Sequence, residues 1–283
     1  MSPDRTRPPL SAATTVVGVM GDPVAHSLSP LLHNTAFAAL GLDWVSVGFP
    51  VADGRAADAL AGARALGIRG LSVTMPHKEA VAAAVDVCTD EAARLAAVNC
   101  VADEGGRWVG DSTDGPGFLD ALAAGSGFDP AGRSCLVAGA GGAARAVVAA
   151  LAAAGAAEVV VVNRTPSRAE VAAALAGPAG RVGTADDAAG CALVVDATPA
   201  GMDAAADSPW PIDPGLLGPG QLAVDLVYHP RETPWLAAAR QRGAGTANGL
   251  GMLVHQAARQ IARWTGETAP VAEMWAAVRS ADG

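Results

Sequence analysis

Five short stretches of the chain combine residue types and spacings that could do chemistry. In residues 134–168, SCLVAGAGGAARAVVAALAAAGAAEVVVVNRTPSR, Gly139 and Gly141 with Ala144 fit G-x-G-x-x-A between two apolar runs, 135–138 and 159–162. These read as strand, tight turn, helix, strand. Missing β-carbons let backbone N–H groups approach a pyrophosphate at the positive end of a helix. A lone glycine motif is weak, but its strand-to-helix setting is the one the fingerprint requires; a purely structural glycine turn is the competing reading. An NAD site usually carries Asp or Glu after the second strand to accept from the ribose hydroxyls. This chain has Asn163, Arg164 and, one turn on, Arg168. Two guanidiniums without a carboxylate would attract a 2′-phosphate, against the alternative of solvated surface arginines. The cofactor expected is NADP.

The other four stretches lie in the first half. Lys78 follows the β-like run 67–76, GIRGLSVTMP, and precedes a helical pattern. Open α/β sheets collect ligands at such junctions, and a lysine in a first helical turn has no dipole reason to be there. Asn99 sits inside the apolar run 97–102, where an amide needs a partner; it could equally brace a neighbouring loop. Asp111 and Asp114 flank Ser112-Thr113, which fits helix caps or an Asx turn as well as chemistry. In AHSLSP, Ser29 before Pro30 has the form of an N-cap with proline at N1, whereas Ser27 has no such structural explanation. His26 and His33 read as a loop and a helix-face histidine rather than as ligands.

The elements that must position these residues alternate. Strands are expected at 15–20, 44–51, 67–76, 97–102 and around Val109, with helices at 29–41, 54–66 and 79–86 and a turn at 104–106. After the glycine motif come a helix to Leu175, a Gly/Pro-rich link at 177–183, a strand at 192–197, and a long loop at 201–220 expected to be exposed and mobile. A last strand at 222–227, a helix at 234–242 and a helix from Asn248 with Met252 in its core stripe complete the pattern. The fold class is α/β, with 283 residues giving one large or two medium domains. The net charge of −9, with no basic block, argues against a nucleic-acid or anionic-membrane partner. Cys88, Cys100, Cys135 and Cys191 form no C-x-x-C pair, so neither zinc nor a disulfide framework is expected, and a reducing cytoplasm is the natural setting. No apolar run reaches the length of a membrane span, and the first fourteen residues read as a loose tail without a signal-peptide core.

AHSLSP, SVTMPHK, AVN, DSTDG, GAGGAAR, NRTPSR, DATPAGM, DLVYHP and NGLGMLVHQ occur in an order and spacing that resembles the shikimate dehydrogenases, from Val16 to about Gly266. The resemblance implies NADPH-dependent reduction of 3-dehydroshikimate to shikimate, on the way to aromatic amino acids. It also implies two α/β domains. Residues 1–115, joined by 248–283, would bind substrate, and 116–247 would form a Rossmann-type NADP domain, with the active site in the cleft between them. Carried over residue by residue, Ser27 and Ser29 would hold the substrate carboxylate, and Thr74, Asn99 and Gln256 the ring hydroxyls. Tyr228 would also face the substrate, and Lys78 and Asp114 would be the catalytic pair. Gly139, Ala140, Gly141, Gly142 and Ala143 would cradle the pyrophosphate. Asn163, Arg164, Thr165 and Arg168 would take the adenosine phosphate, Thr198, Leu226 and Gly249 the rest of the cofactor, and Asp90 would lie near the nicotinamide. No metal is implied, and the chain would act as a monomer or homodimer.

Ser72, Ser112, Asp196 and Asn248 depart from the usual family pattern. Ser72 borders the substrate hydroxyls, which leaves quinate or an aminated shikimate as alternative substrates. A non-catalytic NADPH-binding regulator is the reading from another class; it would have been favoured by loss of Lys78 or Asp114, and both are present.

Overall fold

The structure is a computed structural model and describes residues 8–202 and 210–281. Residues 1–7 of the expected tail, and 203–209 of the expected long loop, lie outside the described residues. The chain divides into two compact units, one of residues up to Thr113 and from Val254 onward, the other Asp114–Leu253.

The first unit runs β1 (Thr15–Gly21), α1 (Ser29–Leu40), β2 (Trp44–Pro50), α2 (Ala56–Ala65), β3 (Gly70–Val73), α3 (Lys78–Ala82), β4 (Val87–Cys88), α4 (Asp90–Leu95), β5 (Cys100–Glu104) and β6 (Arg107–Asp111). Its six strands are ordered β2-β1-β3-β5-β6-β4, with β5 antiparallel to both β3 and β6. Met20, Leu71, Val73, Val98 and Val101 from the sheet region meet Leu60 and Ala63 of α2 in one core.

Three expectations change here. Leu28, not Ser29, occupies the N-cap of α1, and no side chain caps it; the Ser29 N–H instead reaches the Ser27 hydroxyl at 3.3 Å. The β-like run 67–76 pairs only over Gly70–Val73, because Thr74 to His77 turn, with the His77 N–H donating to the Thr74 carbonyl. The helix that follows is five residues long, not the eight that its alanines suggested.

The second unit runs α5 (Asp114–Gly125), β7 (Ser134–Ala138), α6 (Gly142–Ala153), β8 (Glu158–Val162), α7 (Pro166–Ala174), β9 (Gly180–Val182), β10 (Leu193–Asp196), β11 (Leu222–Asp225), α8 (Pro234–Gln241) and β12 (Gly245–Asn248). All six strands are parallel, in the order β12-β11-β10-β7-β8-β9. Such an order reverses between β7 and β10, the kind of point beside whose carboxyl strand ends open α/β sheets bind ligands. Two strands of this sheet were hidden in the sequence, as was the two-residue β4 of the first: β9 lies inside the Gly/Pro-rich link, and β12 follows what read as the last strand. The described part of the 201–220 loop is not a free flap, because Ile212 and Leu217 are buried in the core and the Ile212 carbonyl accepts from the indole of the buried Trp235 at 2.9 Å.

The division between units falls within α9 (Leu250–Thr265), after Leu253; α10 (Val271–Ser280) follows. Met252 packs in the second unit's core, as its helical spacing predicts. In the first unit, the Trp264 indole donates to the Val101 carbonyl at 2.9 Å and lies so close over Gly70 that a β-carbon there would collide with it.

Candidate active site

At the carboxyl edge of the second sheet, Val162, Ala138, Asp196, Asp225 and Asn248 stand in register as one row. One residue beyond that row come Asn163, Gly139, Leu226 and Gly249, four of the positions expected to touch a cofactor. Gly139 has φ +115, a conformation that side chains disfavour, and its N–H donates to the Val162 carbonyl at 2.8 Å. Gly141 is the N-cap of α6 and no side chain caps it. A β-carbon at Gly141 would enter open space. The turn therefore leaves room, at an uncapped helix start without acidic residues, for the anion that the glycines Gly139, Gly141 and Gly142 and the small Ala140 and Ala143 would admit. A side chain at Gly249 would collide with the Leu226 carbonyl, so these two approach closely for packing as well.

After β8, the Asn163 amide donates to the Thr165 carbonyl at 3.0 Å. Thr165 holds the N-cap position of α7 without a side-chain cap, the first turn holds no acid, and Arg164, Thr165 and Arg168 are exposed. After β10, Thr198 is held to Asp196 twice, by its N–H at 2.9 Å and its hydroxyl at 2.7 Å. Asp196 and Asp225 are fully buried. Burial pushes the Asp196 carboxyl up to about 7 and raises Asp225 as well. Tyr228 stands half-buried after β11.

In the first unit, Ser46, His33, Gln260, Asn99, Thr113 and Gln256 form one connected chain. Gln260 donates its Nε2 to the Asn99 carbonyl at 3.0 Å, so its Oε1 must accept, and the partner at 3.1 Å is His33 Nε2. His33 is therefore protonated on Nε2, and its Nδ1 accepts from the Ser46 hydroxyl at 3.0 Å. Burial lowers the ring's pKa from 6.5 to about 4, so it is neutral. Asn99 Nδ2 donates to the Thr113 hydroxyl at 2.9 Å and to Gln256 Oε1 at 3.2 Å, while its Oδ1 accepts the Thr113 N–H at 2.7 Å. Asn99 and Gln256 are thus brought together, and each has one orientation.

Lys78 opens α3, with its carbonyl accepting from the N–H of Val98, the residue before Asn99. The buried His77 donates Nε2 to the Val51 carbonyl at 2.7 Å and ties the start of that helix to the end of β2. Thr74, at the end of β3, donates its N–H to the Met20 carbonyl. Asp114 follows Thr113 directly, opens α5 and is buried. Asp90 is exposed at the head of α4, where Thr89 is the cap. Ser72 is buried on β3, beside Cys100 of β5. Sequence reasoning missed His33 and Gln260 as partners. The available signal was spacing, since His33 lies four after Ser29 and Gln260 four after Gln256, each pair on one helix face.

Three family models match in chain order: a shikimate dehydrogenase substrate binding domain over residues 19–101, a shikimate / quinate 5-dehydrogenase over 122–191, and a shikimate 5'-dehydrogenase C-terminal domain over 249–279. The shikimate dehydrogenase (NADP(+)) of Moorella thermoacetica is 47% identical, over 97% of this chain and 96% of its own. The solved shikimate 5-dehydrogenase of Thermus thermophilus, in complex with NADP(H) and shikimate, is 40% identical with a TM-score of 0.86, over 94% of this chain and 99% of that one. A quinate dehydrogenase of Corynebacterium glutamicum in complex with NAD is 31% identical with a TM-score of 0.84, over 94% and 99%. No helix among the described residues is long and apolar enough to cross a membrane. With near-full-length identity to such relatives, and with its motifs set on the sheet edges described above, the chain belongs to the shikimate dehydrogenase family.

Proposed function

We propose that the protein is an NADP-dependent oxidoreductase that interconverts 3-dehydroshikimate and shikimate. What carries the reading is 47% identity over almost the whole chain to an enzyme of that name, together with Asn163-Arg164 and no acid where an NAD site would hold one. Residues 1–115 with 248–283 would form the substrate part and 116–247 the NADP part. A reducing, cytoplasmic setting fits four cysteines that are all free, and the chain would work as a monomer or homodimer.

Bound NADPH supplies the hydride. The protein must supply a proton to the carbonyl oxygen and stabilise the alkoxide that forms. Lys78 gives that proton in reduction and takes it back in oxidation, and Asp114 holds the ammonium. Ser27 and Ser29 bind the substrate carboxylate; Ser29 is spared the capping role its position before Pro30 suggested. Thr74, Asn99, Gln256 and Tyr228 read the ring hydroxyls. Because the Asn99 amide is oriented by Thr113 and in turn bonds the Gln256 carbonyl oxygen, both side chains are set before substrate arrives, which reduces the ordering cost of binding. Gly139 to Ala143 receive the pyrophosphate, and Asn163, Arg164, Thr165 and Arg168 the 2′-phosphate. Thr198, Leu226 and Gly249 line the remainder, and Asp90 lies toward the nicotinamide end.

Quinate or an aminated shikimate is the second reading, favoured by Ser72 at the substrate border and by a family model that spans both polyols. Initial rates at 340 nm on shikimate, quinate and aminoshikimate, each with NADP+ and NAD+, separate these. Shikimate with NADP+ should give the highest kcat/KM. A higher value on quinate would transfer the assignment to it, and tight NADPH binding with no turnover on any polyol would leave a non-catalytic binder.

A further inference from the structure

Among the described residues, Asp196 is the one carboxylate of the second unit whose second oxygen, Oδ2, is buried without a hydrogen-bond partner. Its Oδ1 already accepts both bonds from Thr198, so a proton on this acid belongs on Oδ2. A neutral acid tolerates a buried oxygen without a partner far better than a carboxylate does. The groups facing it give no compensation. β7 offers Ala138, the following loop offers Thr198, and β11 offers a second acid, Asp225, directly in register. Asp225 is itself engaged, accepting from the Val227 N–H at 2.9 Å and the Thr233 hydroxyl at 2.7 Å. Asp225 is also the only charged group among the described residues that acts on Asp196, and it disfavours the anion.

This acid sits under the cofactor turn. The Ala197 carbonyl, one residue on, lies 3.1 Å from where a Gly139 β-carbon would be, and the Thr198 methyl lies at 3.5 Å. The segment that Asp196 ties down is therefore the wall against which the Gly139 turn is built.

We propose that Asp196 is a proton-linked positioning residue of the dinucleotide cradle: neutral, it holds the Thr198 segment against the Gly139 turn, and its ionisation weakens binding of the polyanionic cofactor. The inference rests on the NADP reading above. Its sense follows from charge. A carboxylate next to the phosphate turn repels the cofactor's phosphates, so binding favours the protonated acid and draws a proton onto Asp196. Burial pushes the acid up to about 7, which places the effect in the neutral range.

The test is the NADPH dissociation constant of wild type and Asp196→Asn, read by fluorescence from slightly acidic to slightly alkaline pH. Asparagine keeps an Oδ1 acceptor for Thr198 and cannot ionise. The wild-type constant should rise relative to the variant's with pH, by several-fold in total and by at most about tenfold per pH unit, since one proton is linked. Taking the ratio of the two proteins cancels titration of the cofactor's own 2′-phosphate. A ratio that does not change with pH overturns the proposal. Failure of the wild type to bind NADPH at any pH would instead overturn the cofactor reading. If the variant does not fold, calorimetry of NADPH binding to wild type in buffers of different ionisation enthalpy serves. Net proton uptake on the alkaline side is expected, and no uptake, or release, contradicts it.

Discussion

In the first unit, the buried polar side chains are Ser29, His33, Ser46, Ser72, His77, Asn99, Ser112, Thr113, Gln256 and Gln260, with no Asp, Glu, Lys or Arg among the described residues. In the second they are Asp114, Arg145, Asp196, Asp225 and Thr233. Six of the first set, Ser46, His33, Gln260, Asn99, Thr113 and Gln256, satisfy one another, because amides and hydroxyls both donate and accept, and the donation order from Ser46 through His33 and Gln260 to Asn99 is fixed. Buried carboxylates can only accept, so they need donors or a proton. Asp225 has two donors for its two oxygens; Asp196 has donors for one. The region proposed to read uncharged hydroxyls is therefore locked in one protonation state, and the region proposed to bind a polyanion contains a group that can change its state.

Stability against pH should expose the contrast most strongly. Asp196 is raised from 3.8 to about 7, so above the lower value the unfolded chain releases a proton that the native state keeps. Its contribution to stability is lost as pH rises from 3.8 through about 7, a total of about 4 kcal/mol. Asp196→Asn should abolish this loss and gain on wild type between acidic and neutral pH in urea unfolding; a difference independent of pH would break the contrast. His33 has the opposite sign. It is lowered from 6.5 to about 4, so stability present above 6.5 is lost as pH falls through about 4, on the order of 3 kcal/mol. His33→Gln keeps a donor and an acceptor and should flatten that acid limb. An unchanged limb would mean that the ring is not held neutral.

A smaller effect is expected from Gln260→Leu, which strands the Asn99 carbonyl and His33 Nε2. It should cost roughly 1–3 kcal/mol and raise KM for shikimate while leaving the NADPH dissociation constant alone. A parallel loss in both would show that the amide chain serves the fold in general and not the substrate side. Arg164→Ala should be the mildest, weakening NADPH by about tenfold through loss of a charge-assisted contact and sparing NADH. Equal weakening of both cofactors would remove the 2′-phosphate assignment.

Local chemistry was legible in the sequence and partnership was not. The Gly139 turn, the arginines after β8 and the strand-to-helix place of Lys78 could be read because each is written in adjacent residues. Ser29 misled, since Ser-Pro satisfies the N-cap pattern one residue away from the real cap; nothing local distinguishes Leu28 with an uncapped start. β9 and β12 escaped notice because Gly180–Val182 and Gly245–Asn248 are short edge strands with few apolar residues, and their pairing is decided by neighbours far away in sequence. The link from His33 to Gln260 spans 227 residues, so only the fold brings it into being. Asp196 looked like a minor departure from a motif until its unsatisfied oxygen and its register with Asp225 were visible.

The most direct test of the proposed chemistry is the rate of NADP+ reduction by shikimate at 340 nm in Lys78→Ala, with shikimate and NADPH dissociation constants measured on the same preparation. Both constants should stay near wild type while kcat falls by about 10²–10⁴-fold or more, the loss of a proton-transfer group together with its charge. Turnover that survives with binding intact would contradict it, and Lys78 would have no part in moving the proton.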